Sequence, residues 1–398
     1  MTGKPPLTGV RVLDLSRVLA GPFCSMVLAD LGAEVIKVEM PVTGDDTRAY
    51  PPLVNGESIY FMSINRSKKS VTLDLKSPKG QEALHRLAAE SDVVLENFRP
   101  GVTARLKADY DSLRAVNPRL VYCSISSFGQ TGPYAEKPGY DLVIQGMGGL
   151  MGITGEPSGP PMKVGIAITD MGAGMWAAIA ILAALGVRER DGKGQYLDVS
   201  MMDGSIAWMT YLAATYLSTG NVPPRLGNAH QSIVPYQSFE TEDGKSILIA
   251  GGNDRLFQSL CEALGLPDLP SDPRYRGNGD RVRNRDTLLP IIAARFRTRL
   301  RDEWIKALEA KDFPVAPVYS MDEIFDDPQV KHRDLVREID HPKAGKVRLV
   351  GPPLRLSETP CTEGSPPPVL GEHTEEVLTR VAGYSKAEVE ALRIRGVT

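Results

Sequence analysis

Cysteine and histidine are scarce in this chain of 398 residues, which contains four cysteines and five histidines. The four cysteines are far apart in the sequence and form no C-x-x-C pair. The sequence therefore predicts neither a disulfide framework nor a zinc site, and a reducing cytoplasm is the expected location. The histidines lack the spacing that is typical of metal ligands, so we expect no bound metal ion.

The chain also lacks an excess of basic charge, because 46 lysines and arginines are balanced by 49 aspartates and glutamates. Without a general basic field, nucleic acid is not an expected partner. The first six residues lack the apolar core of a signal peptide. One long apolar run, Met171–Val187, is at the lower limit for a membrane span and contains three glycines. We interpret it as a core helix and expect no membrane association.

Hydrophobic residues make up 42% of the chain and charged residues 24%, which is typical of a soluble globular protein. The length exceeds what one compact core usually holds, so two structural units are expected. Val10–Leu15, Phe23–Leu31 and Glu34–Glu39 have the patterns of a strand, a helix and a strand. Similar strand patterns follow at Ser70–Leu75, Val93–Glu96 and Leu120–Ile125. The first half of the chain therefore predicts an α/β fold with an open parallel sheet.

The composition changes after a long apolar helix that we predict at Met201–Leu217. Ser218–Asn228 is rich in glycine, proline and asparagine, which is typical of a linker. The predicted organisation is a large domain over residues 1–200, a linker helix and loop over 201–224, and a small α+β domain over 225–320. Residues 321–398 are predicted to form a second linker and a tail. The tail has too few apolar residues for a core of its own, so we expect it to return to the large domain.

One carboxylate, Asp170, lies between a predicted buried strand at Val164–Ile168 and the predicted helix that follows it. Gly172 and Gly174 leave room for a large group to approach the backbone. One interpretation is that Asp170 is simply the N-cap of the helix. The other is that Asp170 is a nucleophile, since the positive end of a helix dipole keeps such a carboxylate ionised at neutral pH. These residues alone leave both interpretations open.

Eight short motifs occur in order along the chain and carry a resemblance to a known family. They are Leu13–Pro22, Leu31–Glu39, Gly44–Arg48, Asn65–Lys69, Glu96–Gly101, Gly129–Pro133, Asp170–Gly174 and Leu370–His373. In these motifs the chain resembles the class III coenzyme A transferases, also called the CaiB/BaiF type, over essentially its whole length. Asn228–Phe239 and Arg281–Arg285 make it most similar to the succinyl-CoA:glutarate type within that family.

The resemblance implies a Rossmann-like large domain built from both ends of the chain, with a small α+β domain between them. It also implies that linkers make each subunit a ring and that two rings interlock in a homodimer. The implied activity is transfer of CoA from an acyl-CoA such as succinyl-CoA to a free carboxylic acid, with a dicarboxylate such as glutarate as the expected acceptor. Asp170 matches the family's nucleophile, which would form a mixed anhydride and then an aspartyl-CoA thioester. The CoA thioester is a substrate, and no prosthetic group is expected.

Two other activities of the same fold remain as alternatives. A 2-methylacyl-CoA racemase needs a histidine–aspartate pair for acid/base chemistry. The racemases place that histidine where this chain has Tyr140, which argues against the assignment. The formyl- and acetyl-CoA:oxalate transferases have a glutamine where this chain has Leu19, and an apolar residue there favours a longer acyl chain. A protein that binds CoA without catalysis is a third alternative, which the intact Asp170 motif disfavours.

The resemblance also assigns the binding residues. Those expected to bind CoA are Val18, Leu19, Ala20, Arg48, Leu73, Lys76, Asn97, Phe98, Arg99, Arg105, Lys137, Gly139, Tyr140 and Asp141. Those expected to bind the acyl or acceptor group are Leu19, Tyr140 and His230. Without the resemblance, Arg105 is equally a solvated helix charge, Tyr140 a core tyrosine and His230 a surface histidine.

Two further details of the expected site concern the charge at the adenine contact and the loop around His230. Met40 lies where relatives often place an arginine against the adenine, so Arg48, Lys68 or Lys69 is expected to supply that charge. We hypothesise that the loop around His230, residues 227–231, covers the nucleophile and contacts the distal carboxylate of a dicarboxylic acid.

Overall fold

The computed structural model describes residues 3–398, which form two compact units. The first unit comprises the chain up to Leu150 together with Val164–Thr219 and Asp334–Thr398. The second comprises Met151–Lys163 and Gly220–Arg333. The division differs from the predicted boundaries in four places. Residues 201–219 belong to the first unit, whereas 151–163, 220–224 and 321–333 belong to the second.

The first unit is built on a six-stranded sheet in which every neighbouring pair of strands is parallel. In spatial order, its strands are Lys68–Thr72, Glu34–Glu39, Arg11–Asp14, Val93–Glu96, Val121–Ser126 and Tyr196–Ser200. The predicted α/β class is confirmed, and two of the predicted strands match residue for residue. The next two strands of this sheet in the chain lie on one side of Arg11–Asp14, and the later strands, from Val93–Glu96 onward, lie on its other side. The strand order therefore reverses beside Arg11–Asp14. Ligands of open α/β sheets bind at such a reversal, beyond the carboxyl ends of the strands.

The central strands of the sheet are buried on both faces, as expected where helices cover a parallel sheet, whereas the edge strand Tyr196–Ser200 is partly exposed. On one face, Leu13, Ile36 and Val94 pack in a cluster with the helix Pro78–Ala89. On the other face, Val12, Val35 and Val93 pack with the helix Ala20–Asp30 and with the helix Ile168–Asp191. We call Ile168–Asp191 the long helix.

The C-terminal tail contributes to the first of these clusters. Val377, Leu378, Val389 and Leu392, from the helices Thr374–Arg380 and Lys386–Ile394, are buried there. The tail therefore packs on the sheet unit, as its low apolar content requires.

The remaining elements of the first unit are short. Its further helices are Asp46–Ala49, Ile59–Ile64, Val102–Arg105, Tyr110–Arg114, Asp141–Met147, Met201–Trp208 and Thr210–Thr219. The strand pairs Leu53–Val54 with Glu57–Ser58 and Val336–His341 with Gly345–Val350 form hairpins. A short helix, Leu150–Ile153, begins at the last residue of the first unit's opening segment, and its other residues are assigned to the second unit.

Two predicted elements are wrong. Val164–Ile168 is not a strand, because residues 164–167 have no regular structure and the long helix already begins at Ile168. The amide of Val164 donates to the Gln145 side chain at 2.8 Å instead of to a sheet neighbour. The predicted helix Met201–Leu217 is two helices, which separate at Met209 next to a positive φ of 32° at Thr210.

The second unit has a three-stranded antiparallel sheet in the order Val315–Pro317, Ser246–Ala250 and Tyr236–Glu240. Its helices are Asp254–Leu264, Leu269–Ser271, Asn278–Arg283, Arg285–Phe296, Arg301–Glu309, Met321–Asp326 and Pro328–His332. Phe257, Phe296 and Trp304 are buried in its core. The predicted α+β character of this part of the chain is therefore observed.

By length and composition alone, the long helix would suffice to cross a membrane. Half of its most apolar window is buried inside the protein, and core helices of soluble proteins meet the same criterion. The finding is therefore weak evidence for a membrane span.

Candidate active site

A cavity of about 710 Å³ lies in the first unit, beyond the carboxyl ends of the central strands. Its wall includes Leu15–Ala20, which follow the strand Arg11–Asp14, and Asn97–Pro100, which follow the strand Val93–Glu96. These are the two strands beside which the order of the sheet reverses. The site is therefore where an open α/β sheet is expected to bind a ligand.

Most of the residues that the sequence singled out line this cavity. They are Val18, Leu19, Ala20, Leu73, Lys76, Asn97, Phe98, Arg99, Arg105, Lys137, Gly139, Tyr140 and Asp170. Met40 lines it as well. Tyr140 is 69% exposed, so the interpretation of it as a core tyrosine is wrong.

Arg48 does not line the cavity. Its guanidinium donates to both carboxylate oxygens of Glu39 at 2.7 Å and to the carbonyl of Pro368 at 3.2 Å. It also lies 3.7 Å above the ring of Phe61. The guanidinium therefore holds neighbouring segments together and is not directed at a ligand.

Neither of the two lysines proposed as substitutes for the missing arginine lines the cavity. Lys68 is buried, and its ammonium donates to Asn65 and to the carbonyl of Pro22. Lys69 pairs with Glu376 at 2.6 Å. The cationic residues that do line the cavity, besides Lys37 and Arg17, are Lys76, Arg99, Arg105 and Lys137.

Asp170 is the third residue of the long helix, whose N-cap is Ala167. The interpretation of Asp170 as the N-cap is therefore wrong, because the helix begins three residues earlier than predicted. The carboxylate that bonds to the first turn is that of Asp141, whose Oδ1 accepts from the amide and the hydroxyl of Thr169. Asp141, a predicted CoA residue, does not line the cavity.

Burial and, to a smaller extent, the negative charge of Asp141 together raise the pKa of Asp170 to about 7. At this pKa only about half of the carboxylate is ionised at neutral pH, so desolvation offsets the helix-dipole effect that was expected to keep it ionised. No cation pairs with Asp170 in the described part of the chain. Burial and the charge of Asp170 also raise the pKa of Tyr60 to about 12, so this neighbouring phenol stays neutral.

Gly172 and Gly174 do not leave free space. A Cβ atom on Gly172 would lie 2.0 Å from the indole of Trp208, and one on Gly174 would lie 2.6 Å from the carbonyl oxygen of Ala20. These glycines therefore let the protein's own groups approach the long helix. One consequence is that the Asp170 turn packs directly against the end of the Val18–Ala20 segment.

Sequence reasoning missed several residues of the cavity wall, among them Lys37, Asp45, Arg17 and Ser127. Lys37 and Asp45 form an ion pair of 2.9 Å and are both fully buried. Burial alone would lower the pKa of Lys37, but the charges of Asp45 and Asp14 raise it overall, so it is a cation. Both residues lie in motifs that carry the family resemblance, which was the available signal.

His230 lies in the second unit. Its Nδ1 accepts from the amide of Ser232 at 3.0 Å, and its ring meets that of Tyr236 edge to face at 5.4 Å. Arg285 donates to the carbonyls of His230 and Gln231, which holds the backbone of this loop. The role of the loop as a cover for the nucleophile stays a prediction.

Comparison with known proteins identifies the family. The sequence model described as CoA-transferase family III matches residues 7–374. The chain belongs to this family. It is accordingly a transferase enzyme that acts on CoA thioesters, and the cavity around Asp170 is its candidate active site.

Relatives within the family are similar over almost the whole chain. A mouse protein named succinyl-CoA:glutarate CoA-transferase is 44% identical over 405 residues, which cover 100% of this chain and 93% of the relative. Its human counterpart is 42% identical over 100% of this chain and 92% of the relative. A protein from Agrobacterium fabrum named succinate–glutarate CoA-transferase is 43% identical over 95% of this chain and 96% of the relative.

A crystal structure of a CaiB/BaiF family protein from Brucella suis has the same fold, with a TM-score of 0.86 and 41% identity. The match covers 95% of this chain and 100% of that one. The parallel sheet unit and the family assignment are therefore supported by sequence and by structure.

Proposed function

We propose that this family III CoA-transferase moves CoA from succinyl-CoA to glutarate or a dicarboxylate of similar length, with Asp170 as the nucleophile. The observation that carries the proposal is the carboxylate of Asp170, which is partly buried, has no ion-pair partner among the described residues and lies in the wall of a cavity of about 710 Å³. A carboxylate with a raised pKa is a stronger nucleophile when ionised than one with an ordinary pKa. The names of the relatives support the choice of substrates.

The reaction has two halves, and each half passes through a mixed anhydride of Asp170. An Asp170 oxygen attacks the thioester carbonyl, the C–S bond breaks, and a mixed anhydride and the CoA thiolate result. The thiolate then attacks the Asp170 carbonyl of the anhydride, releasing succinate and leaving an aspartyl-CoA thioester. The incoming glutarate attacks this thioester, and the released thiolate attacks the glutaryl carbonyl of the new anhydride. Glutaryl-CoA leaves, Asp170 is again a carboxylate, and no net proton is taken up.

Several residues of the cavity wall suit the two ends of the acyl-CoA. Lys76, Arg99, Arg105 and Lys137 provide positive charge for the phosphates of CoA. Leu19 is buried among apolar side chains that include Met26 and Ile64. An apolar wall of this kind favours a longer acyl chain over oxalate.

The test is a screen of acyl-CoA donors against carboxylic acids, followed by trapping with hydroxylamine. We expect the fastest transfer from succinyl-CoA to C4–C6 dicarboxylates. Hydroxylamine should convert Asp170 to its hydroxamate only when an acyl-CoA is present, which mass spectrometry of the peptide detects. Turnover in Asp170→Asn, or a hydroxamate at another carboxylate, would overturn the assignment of the nucleophile.

The racemase alternative is disfavoured because no histidine is among the described residues that line the cavity. Incubation of a chiral 2-methylacyl-CoA in deuterated water separates the two activities. Deuterium at the α-carbon in the absence of an acceptor acid would favour the racemase, and its absence is expected.

The proposal includes a homodimer of interlocked rings, as the family resemblance implies, and a cytoplasmic location. The long helix exposes a row of large apolar side chains, Met175, Trp176, Ile179 and Leu182, which favours burial against a partner. The cysteines in the part of the chain that the structure describes form no disulfide bond, which suits a reducing compartment. Light scattering should give twice the mass of the chain, and Ile179→Glu should shift it towards the monomer.

A further inference from the structure

The segment Ser16–Val18, here called the Ser16 loop, forms part of the cavity wall and precedes the helix Ala20–Asp30. Five of the six backbone polar groups of its three residues bond to side chains from elsewhere in the first unit. The amide of Ser16 donates to Asp14 at 2.9 Å, and its carbonyl accepts from Lys37 at 2.8 Å. The side chain of Asn97 accepts from the amide of Arg17 at 2.8 Å and donates to the carbonyl of Arg17 at 2.7 Å.

The fifth bond concerns Val18, whose amide donates to both oxygens of Asp45 at 3.2 and 3.3 Å. Val18 has a φ of 66°, in the left-handed region. A β-branched residue is a rare occupant of this region, because its Cβ crowds the backbone. Such a conformation persists only where surrounding contacts impose it.

Asp45 is itself held rigidly. Its carboxylate also accepts from the amide and the hydroxyl of Thr47 at 3.0 and 2.8 Å. Its own amide donates to Glu39 at 3.0 Å. Its fully buried ion pair with Lys37 completes the arrangement. Because Lys37 bonds to the carbonyl of Ser16 and Asp45 bonds to the amide of Val18, this single pair holds both ends of the Ser16 loop.

We propose that Asp45 is a positioning residue for CoA transfer, which acts with Lys37 by holding Val18 in the left-handed conformation. In that conformation, Val18–Ala20 line the cavity, and the carbonyl of Ala20 packs against Gly174 in the turn after Asp170. Asp45 thereby sets where the acyl-CoA lies relative to the nucleophile, without itself taking part in bond formation. This inference rests on the proposed function, because its readout is the rate of transfer.

The experiment is a double-mutant cycle between Asp45 and Val18. Asp45→Ala removes the acceptor of the Val18 amide, and Val18→Gly removes the strain that the acceptor opposes, since glycine adopts positive φ freely. If Asp45 acts through Val18, Asp45→Ala should lower kcat/KM much more in the valine background than in the glycine background. We expect a coupling of about tenfold or more between the two sites, which corresponds to residues in direct contact. The main loss should be in kcat, because a misplaced thioester still binds through its CoA part.

The matched control is Asp30→Ala. Asp30 also forms a buried ion pair, with Arg66 at 2.5 Å, but it does not line the cavity. Its substitution should change kcat/KM by the same factor in the valine and glycine backgrounds. Equal losses of kcat/KM for Asp45→Ala in both backgrounds would overturn the proposal, since Asp45 would then act independently of Val18.

Asp45→Asn serves if Asp45→Ala does not fold. It keeps one oxygen for the Val18 amide but loses the charge that pairs with Lys37, so its loss of kcat should be larger in the valine background than in the glycine background. Equal losses of kcat in the two backgrounds would contradict the role of the Val18 bond. Binding of free CoA, measured by calorimetry, separates this inference from the proposed function. Wild-type protein that binds CoA but transfers nothing would refute the proposed function, whereas additive effects of Asp45 and Val18 would refute only the positioning role.

Discussion

Asp141 and Thr169 are bonded twice, since the amide and the hydroxyl of Thr169 donate to the same oxygen of Asp141 at 2.9 and 2.8 Å. A second carboxylate, that of Asp141, therefore lies near Asp170, and the Asp170 carboxylate takes no part in these hydrogen bonds. The start of the long helix thus has one carboxylate that satisfies backbone and side-chain donors and another that remains available for reaction. The negative charge of Asp141 also contributes, after burial, to the raised pKa of Asp170.

The pH dependence of transfer should follow the ionisation of Asp170. Because the pKa of Asp170 is raised to about 7, kcat/KM should rise with pH through this value as the nucleophile loses its proton. Asp141→Asn keeps an acceptor for Thr169 but removes a negative charge, so the rise in kcat/KM should move to lower pH. The pH–rate profiles of the two proteins measure this shift.

Asp109→Asn is the matched control for that substitution. Asp109 accepts from the amide of Ser112 at 3.1 Å and from its hydroxyl at 2.8 Å, in the same manner as Asp141 with Thr169. It does not line the cavity. Its substitution should leave the profile in place, and a profile of Asp141→Asn that also stays in place would contradict the electrostatic role of Asp141.

The stability of the protein should also reveal the cost of burying Asp170. In the unfolded chain its pKa returns to the ordinary value of 3.8, whereas in the folded protein it is about 7. Between these values the folded state binds more protons, so the free energy of unfolding falls as pH rises from about 4 to about 7. Asp170→Asn carries no charge and should therefore be more stable than wild type at pH 8, by about 2–4 kcal/mol, but not at pH 4.

Denaturant titrations at both pH values test this prediction. Asp111 also lies in the first turn of a helix but is exposed, so Asp111→Asn provides the comparison. It should show no gain in stability between pH 4 and pH 8. An Asp170→Asn protein that gains nothing at pH 8 would show that Asp170 is not destabilised by burial.

Gly174→Ala should lower both stability and activity. A Cβ atom there would lie 2.6 Å from the carbonyl oxygen of Ala20. The resulting displacement should cost about 1–3 kcal/mol, which outweighs the gain of about 1 kcal/mol in helix propensity. Because Ala20 lines the cavity, kcat/KM should also fall.

Gly279→Ala tests the same exchange without a close contact. Gly279 lies within the helix Asn278–Arg283, and its nearest neighbour is the end of the Arg283 side chain at 3.6 Å. It should therefore be neutral or slightly stabilising by thermal unfolding, with unchanged activity. A neutral Gly174→Ala would mean that the long helix can move away from Ala20 at little cost.

His230→Ala should alter the choice of acceptor. Nδ1 of His230 accepts from the amide of Ser232, so under this hypothesis the Nε2 side of the ring is the one that contacts the acceptor's distal carboxylate. If it contacts the distal carboxylate, kcat/KM for glutarate should fall by about tenfold or more, and that for pentanoate much less. His332→Ala, in an exposed position of the same unit, should change neither value. An unaltered ratio of glutarate to pentanoate in His230→Ala would remove this hypothesis.

Much of the fold was predictable from local sequence patterns. The strands Glu34–Glu39 and Val93–Glu96 are short segments rich in β-branched residues, and they have the predicted limits. The interruption at Met209 was not predictable, because no glycine or proline lies between Ile206 and Leu217. The strand expected at Val164–Ile168 failed since an apolar run does not specify a strand unless a neighbouring strand has free backbone groups to pair with it.

The candidate site was partly predictable for a different reason. Asp170 and the residues after the central strands lie in motifs that carry the family resemblance, and most of them line one cavity. Arg48 lies in such a motif too, yet its guanidinium is bonded to Glu39. A motif identifies the residues of a region, but it does not state which of them face the ligand.

By itself, the sequence determined the α/β class and the family and pointed to Asp170 as the candidate nucleophile, because these depend on local patterns and on the order of short motifs. Only the tertiary structure decided that Asp141 binds the first turn of the long helix and that Lys37 and Asp45 hold the Ser16 loop. These contacts join segments that are distant in the chain. Their partners are set by the order in which the strands pair and by burial, which also raises the pKa of Asp170 against the effect of the helix dipole.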